Sequence, residues 1–187
     1  MHSAIPKVMH KVGGKTMLEH VLICAKKLKP KTINVVINSS IEDIKKSFLK
    51  FNIDWHIQAE QNGTADAVKT VLPKLPKDEK VLILYADTPL INFLLLEKFM
   101  NYMPQSTVKV LTAELETPFG YGRIITKGKY IFSIVEELNL TKIEKKIHLC
   151  NYGVMLCNAE LLFNNIGIIS NKNLKKEKFL PDIFNIL

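Results

Sequence analysis

Arginine is almost missing from this sequence: Arg123 is the only one among 26 basic residues in a chain of 187. Proteins that read base edges rely on arginine's bidentate fork, and the lysines here are scattered rather than gathered into a stripe. The net charge of +8 therefore does not argue for a nucleic-acid partner. The densest charge run, KNLKKEKF near the C-terminus, reads as a solvated face before a polyanion contact. Cysteine is scarce too. Cys24, Cys150 and Cys157 are odd in number and lack C-x-x-C spacing, which indicates neither a disulfide framework nor a zinc site. No run of about 18 uncharged apolar residues exists to span a membrane, and MHSAIPKVMHKVGGK has no apolar core of signal-peptide length. The expectation is a cytoplasmic chain with no membrane partner.

What is present is apolar content, 47% of the residues, enough to exclude disorder and to build a core within one domain spanning 1–187. No internal repeat or linker interrupts it. MLEHVLICAKKLK (17–29) spaces its apolar residues for a core-facing helix, and TINVVIN (32–38) reads as a strand buried on both faces. IEDIKKSFLKF (41–51) returns to helical spacing, WHIQ (55–58) is a short strand, and ADAVKTVL (65–72) a helix entered through Gly63-Thr64. VLILY (81–85) is the clearest buried strand, followed by a helix over 94–103 and a strand over 107–115. GYGRIITKGKYIFSIVEE then alternates around Lys127-Gly128-Lys129, the pattern of a β-hairpin. VMLCN (154–158) is a final strand, AELLFNNI a helix, and PDIFNIL the start of another. The alternation predicts an α/β fold with a mixed, mostly parallel Rossmann-like sheet and an antiparallel hairpin insertion.

Asp87 is the most informative position. It stands where a continuous apolar strand ends, the edge at which open α/β sheets bind ligands. A carboxylate there suits Mg²⁺ held together with phosphates, while an Asp opening a turn before Pro89 is the plain alternative. Gly63 and Thr64 precede a helix whose free N–H groups could receive an anion or a base carbonyl; an ordinary N-cap explains them as well. Gly120 and Gly122 flank Tyr121 and allow close backbone approach, as a ligand loop or a simple turn. Glu136 and Asn151 are candidates for hydrogen bonds to sugar hydroxyls, with surface exposure as the alternative. Lys7, after Pro6, could balance phosphate charge.

In order, these pieces resemble the N-terminal uridylyltransferase domain of the bifunctional N-acetylglucosamine-1-phosphate uridylyltransferases. The matching strings are S-x-x-P-K-V-x-H from Ser3 to His10, G-K-x-M from Gly14, Q-A-E-Q-x-G-T-x-x-A from Gln58 and L-Y-x-D-x-P-L from Leu84. G-Y-G-R from Gly120, I-V-E ending at Glu136 and N-x-G from Asn151 complete them. The resemblance implies the nucleotide-diphospho-sugar transferase type of sheet. It implies UTP and N-acetylglucosamine 1-phosphate as substrates, Mg²⁺ as cofactor and a product used for cell-wall precursors. Lys7 would contact phosphate and Asp87 would ligate Mg²⁺, the two catalytic positions. Gln58, Gly63 and Thr64 would recognise uracil, Tyr85 and Ala86 would line the nucleotide site, and Gly122, Glu136 and Asn151 would hold the sugar. A transferase for another sugar phosphate, or for a cytidylate or molybdopterin substrate, is the first alternative. A non-catalytic remnant that only binds nucleotide-sugar is the second.

The departures from the family carry expectations of their own. Met1 aligns with the last residue of a loop of the form L-A-A-G-x-G-T-R-M, and the match ends at Leu187, before an asparagine that completes the family's Mg²⁺ site. The β-helix that carries acetyltransferase activity and makes the family trimeric has no counterpart, so the oligomeric state is left open. The first strand, expected between 32–38 and 81–85, would be absent, leaving two apolar strands with unpaired edges. The expectation is a chain that by itself is a poor catalyst or none, through a start upstream of Met1 or a split or decaying gene. Ala86 replaces the usual Gly, Leu138 and Asn139 the usual Lys and Asp, and Tyr152 a smaller Thr.

Overall fold

The computed structural model describes residues 5–101 and 107–187, with only the backbone of 39–43. Ser3 of the first matching string and the end of the helix expected over 94–103 lie outside these residues. A short antiparallel ribbon, β1 (Lys11–Val12) and β2 (Lys15–Thr16), leads into α1 (Met17–Lys27). Its turn is Gly13-Gly14, both at positive φ (56° and 85°), the conformation that a two-residue hairpin between right-twisted strands requires. This ribbon was missed in the sequence, although the glycine pair is its signal. The Thr16 hydroxyl accepts from Glu19 N at 3.1 Å to open α1, and Lys26 and Lys27 close it with charge that suits the dipole.

Next come β3 (Asn34–Asn38), β4 (Asp54–Gln58), α2 (Thr64–Val71) and β5 (Lys80–Leu84). They are followed by α3 (Phe93–Met100), β6 (Lys109–Glu114), β7 (Arg123–Lys127) and β8 (Tyr130–Val135). The last elements are β9 (Leu149–Asn158) and α4 (Ala159–Asn165). Two expected helices are 3-10 instead. Ser39–Phe48 draws on serine, aspartate and β-branched isoleucine, which are weak helix formers, and Leu180–Asn185 is only six residues long. β9 runs ten residues, twice the expected span.

β3 and β4 pair in parallel. In the second sheet β9 has β6 along one edge and β5 followed by β7 along the other, with β8 beyond β7. The ladders of this sheet are antiparallel and that of β3 with β4 is parallel, so the fold combines both kinds of pairing. Side chains alternate along β5: Leu82 and Leu84 pack with Cys24 of α1 and Leu96 of α3, whereas Val81 and Ile83 pack with Ala65 of α2, Leu72 just after it and Leu162 of α4. Helices therefore cover both faces. α1 also reaches the first sheet, where Leu18 and Leu22 join Ile37, Phe48 and Phe51. Among the described strands β3 has a ladder with β4 alone and β5 with β9 alone, and most of their apolar side chains stay half-buried. No helix among the described residues is long and apolar enough to cross a membrane.

Leu162 is fully enclosed in the cluster that joins α2, β9 and α4. Leu162→Ala should lower unfolding free energy by about 2–5 kcal/mol in urea titration, the range for a buried leucine whose cavity does not collapse.

Candidate functional site

The first part of the site forms where β5 ends. Past Leu84 the chain turns at once: the Thr88 hydroxyl donates to Tyr85 O at 2.7 Å, and Ile91 N to Thr88 O at 3.3 Å. The turn carries Asp87 out of the strand, one-third exposed, and Lys7 Nζ comes from 80 positions away to within 2.5 Å of Asp87 Oδ2. Lys7 is itself well exposed, in a 3-10 turn at Lys7–Met9. The two expected catalytic residues are thus a direct ion pair at the strand ends. Ala86 behaves differently: its methyl packs with the cluster around Ile37 and Phe48, at the side of the first sheet.

The second part stands at the entrance to α2. Gly63 has φ 112°, a region closed to side chains, and is the residue before the helix. Gln58 Nε2 donates to Gly63 O at 3.1 Å. The N–H groups we expected to be free are partly taken by the chain itself. Ala65 N donates to Lys178 O at 3.0 Å, and Lys178 N to Asn62 O at 2.6 Å. Thr64 is no N-cap to its own helix; its hydroxyl accepts from Leu180 N at 2.9 Å, across 116 positions. A Cβ on Gly63 would collide with the Lys178 backbone. Residues 178–181 are therefore a wall of the site that local sequence could not reveal, because only the tertiary fold brings them there.

The third part is built on β9 and the hairpin. Asn151 N donates to Gly122 O at 2.9 Å, and Asn151 Oδ1 accepts from Gly153 N at 2.9 Å. Gly122 lies against Glu136: a Cβ there would stand 3.4 Å from Glu136 Oε1. Gly153 is at φ 81° against the Tyr85 ring, where a Cβ would be 2.7 Å from Cδ2. A small cavity is lined by Tyr85, Asn151, Gly153, Met155, Leu180 and Pro181. Burial pushes the Tyr85 hydroxyl up to about 12, with the charges of Glu136 and Asp87 adding to the rise and the Thr64 hydroxyl opposing it. Tyr85 thus senses all three parts. Burial also raises Glu136 above the ordinary carboxylate range; Lys175 opposes this and Asp182 reinforces it.

The arrangement offers a cation, a carboxylate and backbone amides around a cleft, with no nucleophile–base pair. It can position charged groups and neutralise them rather than form a covalent intermediate. Among the described residues no three His, Cys, Asp or Glu side chains gather to cage a metal ion. One carboxylate does suit Mg²⁺, which is usually held by one or two carboxylates together with substrate phosphates.

Fold and geometry together define an α/β domain that carries Asp87 just past the carboxyl end of β5. The chain belongs to the MobA-like NTP transferase family, whose model matches residues 1–146. It is 40% identical over 183 residues to the bifunctional protein GlmU of Buchnera aphidicola subsp. Schizaphis graminum. It is 36% identical over 184 residues to that of Idiomarina loihiensis. Each alignment covers 98% of this chain and 40% of the relative, so the chain spans well under half of these proteins. Among solved structures, the inositol-1-phosphate CTP transferase from T. maritima shares the fold with a TM-score of 0.77 at 12% identity, covering 99% of this chain and 73% of that one. A UDP-glucose pyrophosphorylase complexed with UDP-glucose matches with 0.74 at 16% identity, covering 97% and 78%.

Two predictions follow from the geometry of the site. Gly63→Ala meets both a positive φ and the Lys178 backbone, so it should cost well over about 1 kcal/mol of stability and speed proteolysis of the C-terminal segment. Glu136 binds its proton more tightly folded than unfolded, so its burial costs stability as pH rises past the ordinary value of 4.5. Glu136→Gln should therefore raise the melting temperature near neutral pH, and the gain should vanish below about pH 4, where both states are protonated.

Proposed function

We propose that the chain is a uridylyltransferase domain that transfers the uridylyl group of UTP to N-acetylglucosamine 1-phosphate. The observation that carries this reading is the continuity of the three parts through Tyr85. The Gln58–Gly63–Thr64 corner, the Lys7–Asp87 pair and the Gly122–Glu136–Asn151 group would then serve base, phosphates and sugar in that order. The similarity to GlmU over 98% of the chain supports the same assignment.

In the reaction a phosphate oxygen of the sugar 1-phosphate attacks the α-phosphorus of UTP. A new P–O bond forms, the bond between the α-phosphorus and the bridging oxygen breaks, and pyrophosphate leaves with the electron pair. In-line positioning and neutralisation of phosphate charge supply most of the catalysis for such a transfer. Gly63 and Thr64 would read the uracil through backbone and hydroxyl groups, with Gln58 braced on Gly63 O. Lys7 would leave Asp87 for phosphate, and Asp87 would then hold Mg²⁺, which supplies further neutralisation of the phosphates. Glu136 and Asn151 would hold the sugar hydroxyls. With such substrates the chain would work in the cytoplasm.

The test is calorimetric titration in Mg²⁺ with UTP, UDP-N-acetylglucosamine, CTP and GTP. The uridine nucleotides should bind at least tenfold more tightly than CTP and GTP, and Asp87→Asn should remove the Mg²⁺ dependence of UTP binding. Preference for CTP overturns the uracil assignment. Pyrophosphate release with UTP and N-acetylglucosamine 1-phosphate separates a catalyst from a domain that only binds.

A further inference from the structure

The only arginine of the chain is also its most enclosed charged residue: Arg123 is 2% exposed. A buried guanidinium needs partners for its donors. Arg123 Nε donates to Ile147 O at 2.9 Å, and Nη1 donates to Tyr121 O. Nη2 stands 2.9 Å from Glu137 Oε2, close enough for an ion pair but without the alignment of a hydrogen bond. One side chain thus ties together the turn before β7, the segment after β8 and the approach to β9.

These three segments carry the proposed sugar contacts, each offset by one residue. Arg123 follows Gly122, Glu137 follows Glu136, and Arg123 pairs in the sheet with Cys150, which precedes Asn151. Adjacent residues in extended chain point to opposite sides. The ion pair therefore occupies the inner side of the same backbone whose outer side forms the cleft. The hydrogen bond from Asn151 N to Gly122 O crosses between the tied segments. We infer that Arg123 and Glu137 form a buried clamp that sets the spacing of Gly122, Glu136 and Asn151, making them positioning residues for the sugar half of the ligand. This inference rests on the reading of that half as the sugar site.

Its test uses Glu137→Gln, which keeps the shape and removes one charge, and two readouts. Amide hydrogen exchange needs no ligand: the Asn151 amide should exchange at least tenfold faster, while the β3–β4 amides stay within twofold. In titration, the Kd for UDP-N-acetylglucosamine should rise about tenfold and that for UTP stay within twofold. An unchanged Asn151 amide in the folded variant overturns the clamp. So does equal loss of both ligands with faster exchange throughout, which is the signature of a purely structural ion pair. Arg123→Lys, which keeps the charge but loses the fork, should show the same local pattern; if neither variant folds, the pair serves the fold alone and the inference fails. If the unaltered chain binds neither ligand, the functional reading falls while the exchange measurement still decides the clamp.

Discussion

The structure depends on the pairing of one long strand, β9, with three others. On one edge its length meets β6, and on the other its second half is bonded to β5 and its first half meets β7. Residues Gly153 to Cys157 are buried on both faces, so a slip by one position would exchange the side chains packed on the two sides and break both cores. The register shift between Val110 and Thr112 falls opposite Asn151 and Met155, where the Asn151 side chain bonds Gly153 N. An irregularity of this kind re-aims side chains at the rim of a sheet. The same local distortion brings Asn151 to Gly122 and opens room at Gly153 for the Tyr85 ring.

Around this strand the charges are arranged by depth. Lys7 and Asp87 meet at the exposed rim, where an ion pair is easily exchanged for other partners, because water screens it and its geometry is loosely held. Deeper, burial raises the pKa of Glu136 and of Tyr85, since it penalises charge there. Enclosed below both is Arg123, whose partners are two carbonyls and a carboxylate of the chain itself. The cleft thus passes from mobile charge to fixed polarity over a short distance.

Much of this was legible from local pattern. The run VLILY followed by Asp87 marked a strand end with a carboxylate, and a strand end is fixed by residues close in sequence. Gly63 before a helical pattern marked a special backbone conformation, and Gly63 does adopt one. What was not legible depends on long-range pairing. Nothing around Thr64 announces Leu180, and nothing around Lys178 announces Gly63. The burial of Arg123 was not legible either, since arginine is seldom enclosed without partners and its partners come from three segments. The half-burial of β3 and β5 was not legible, because continuous apolar runs by themselves read as fully covered strands.

The central claim is that base, phosphate and sugar contacts lie in one cleft in that order. A ¹⁵N NMR titration of the chain with UDP-N-acetylglucosamine and Mg²⁺ tests it most directly. The account predicts shifts that saturate together at the amides of Gly63, Thr64, Asp87, Gly122 and Asn151, with the β1–β2 ribbon and the C-terminal end of α1 unmoved. Saturable shifts confined to other surfaces, or shifts at Gly63 and Thr64 with none at Gly122 and Asn151, would contradict it.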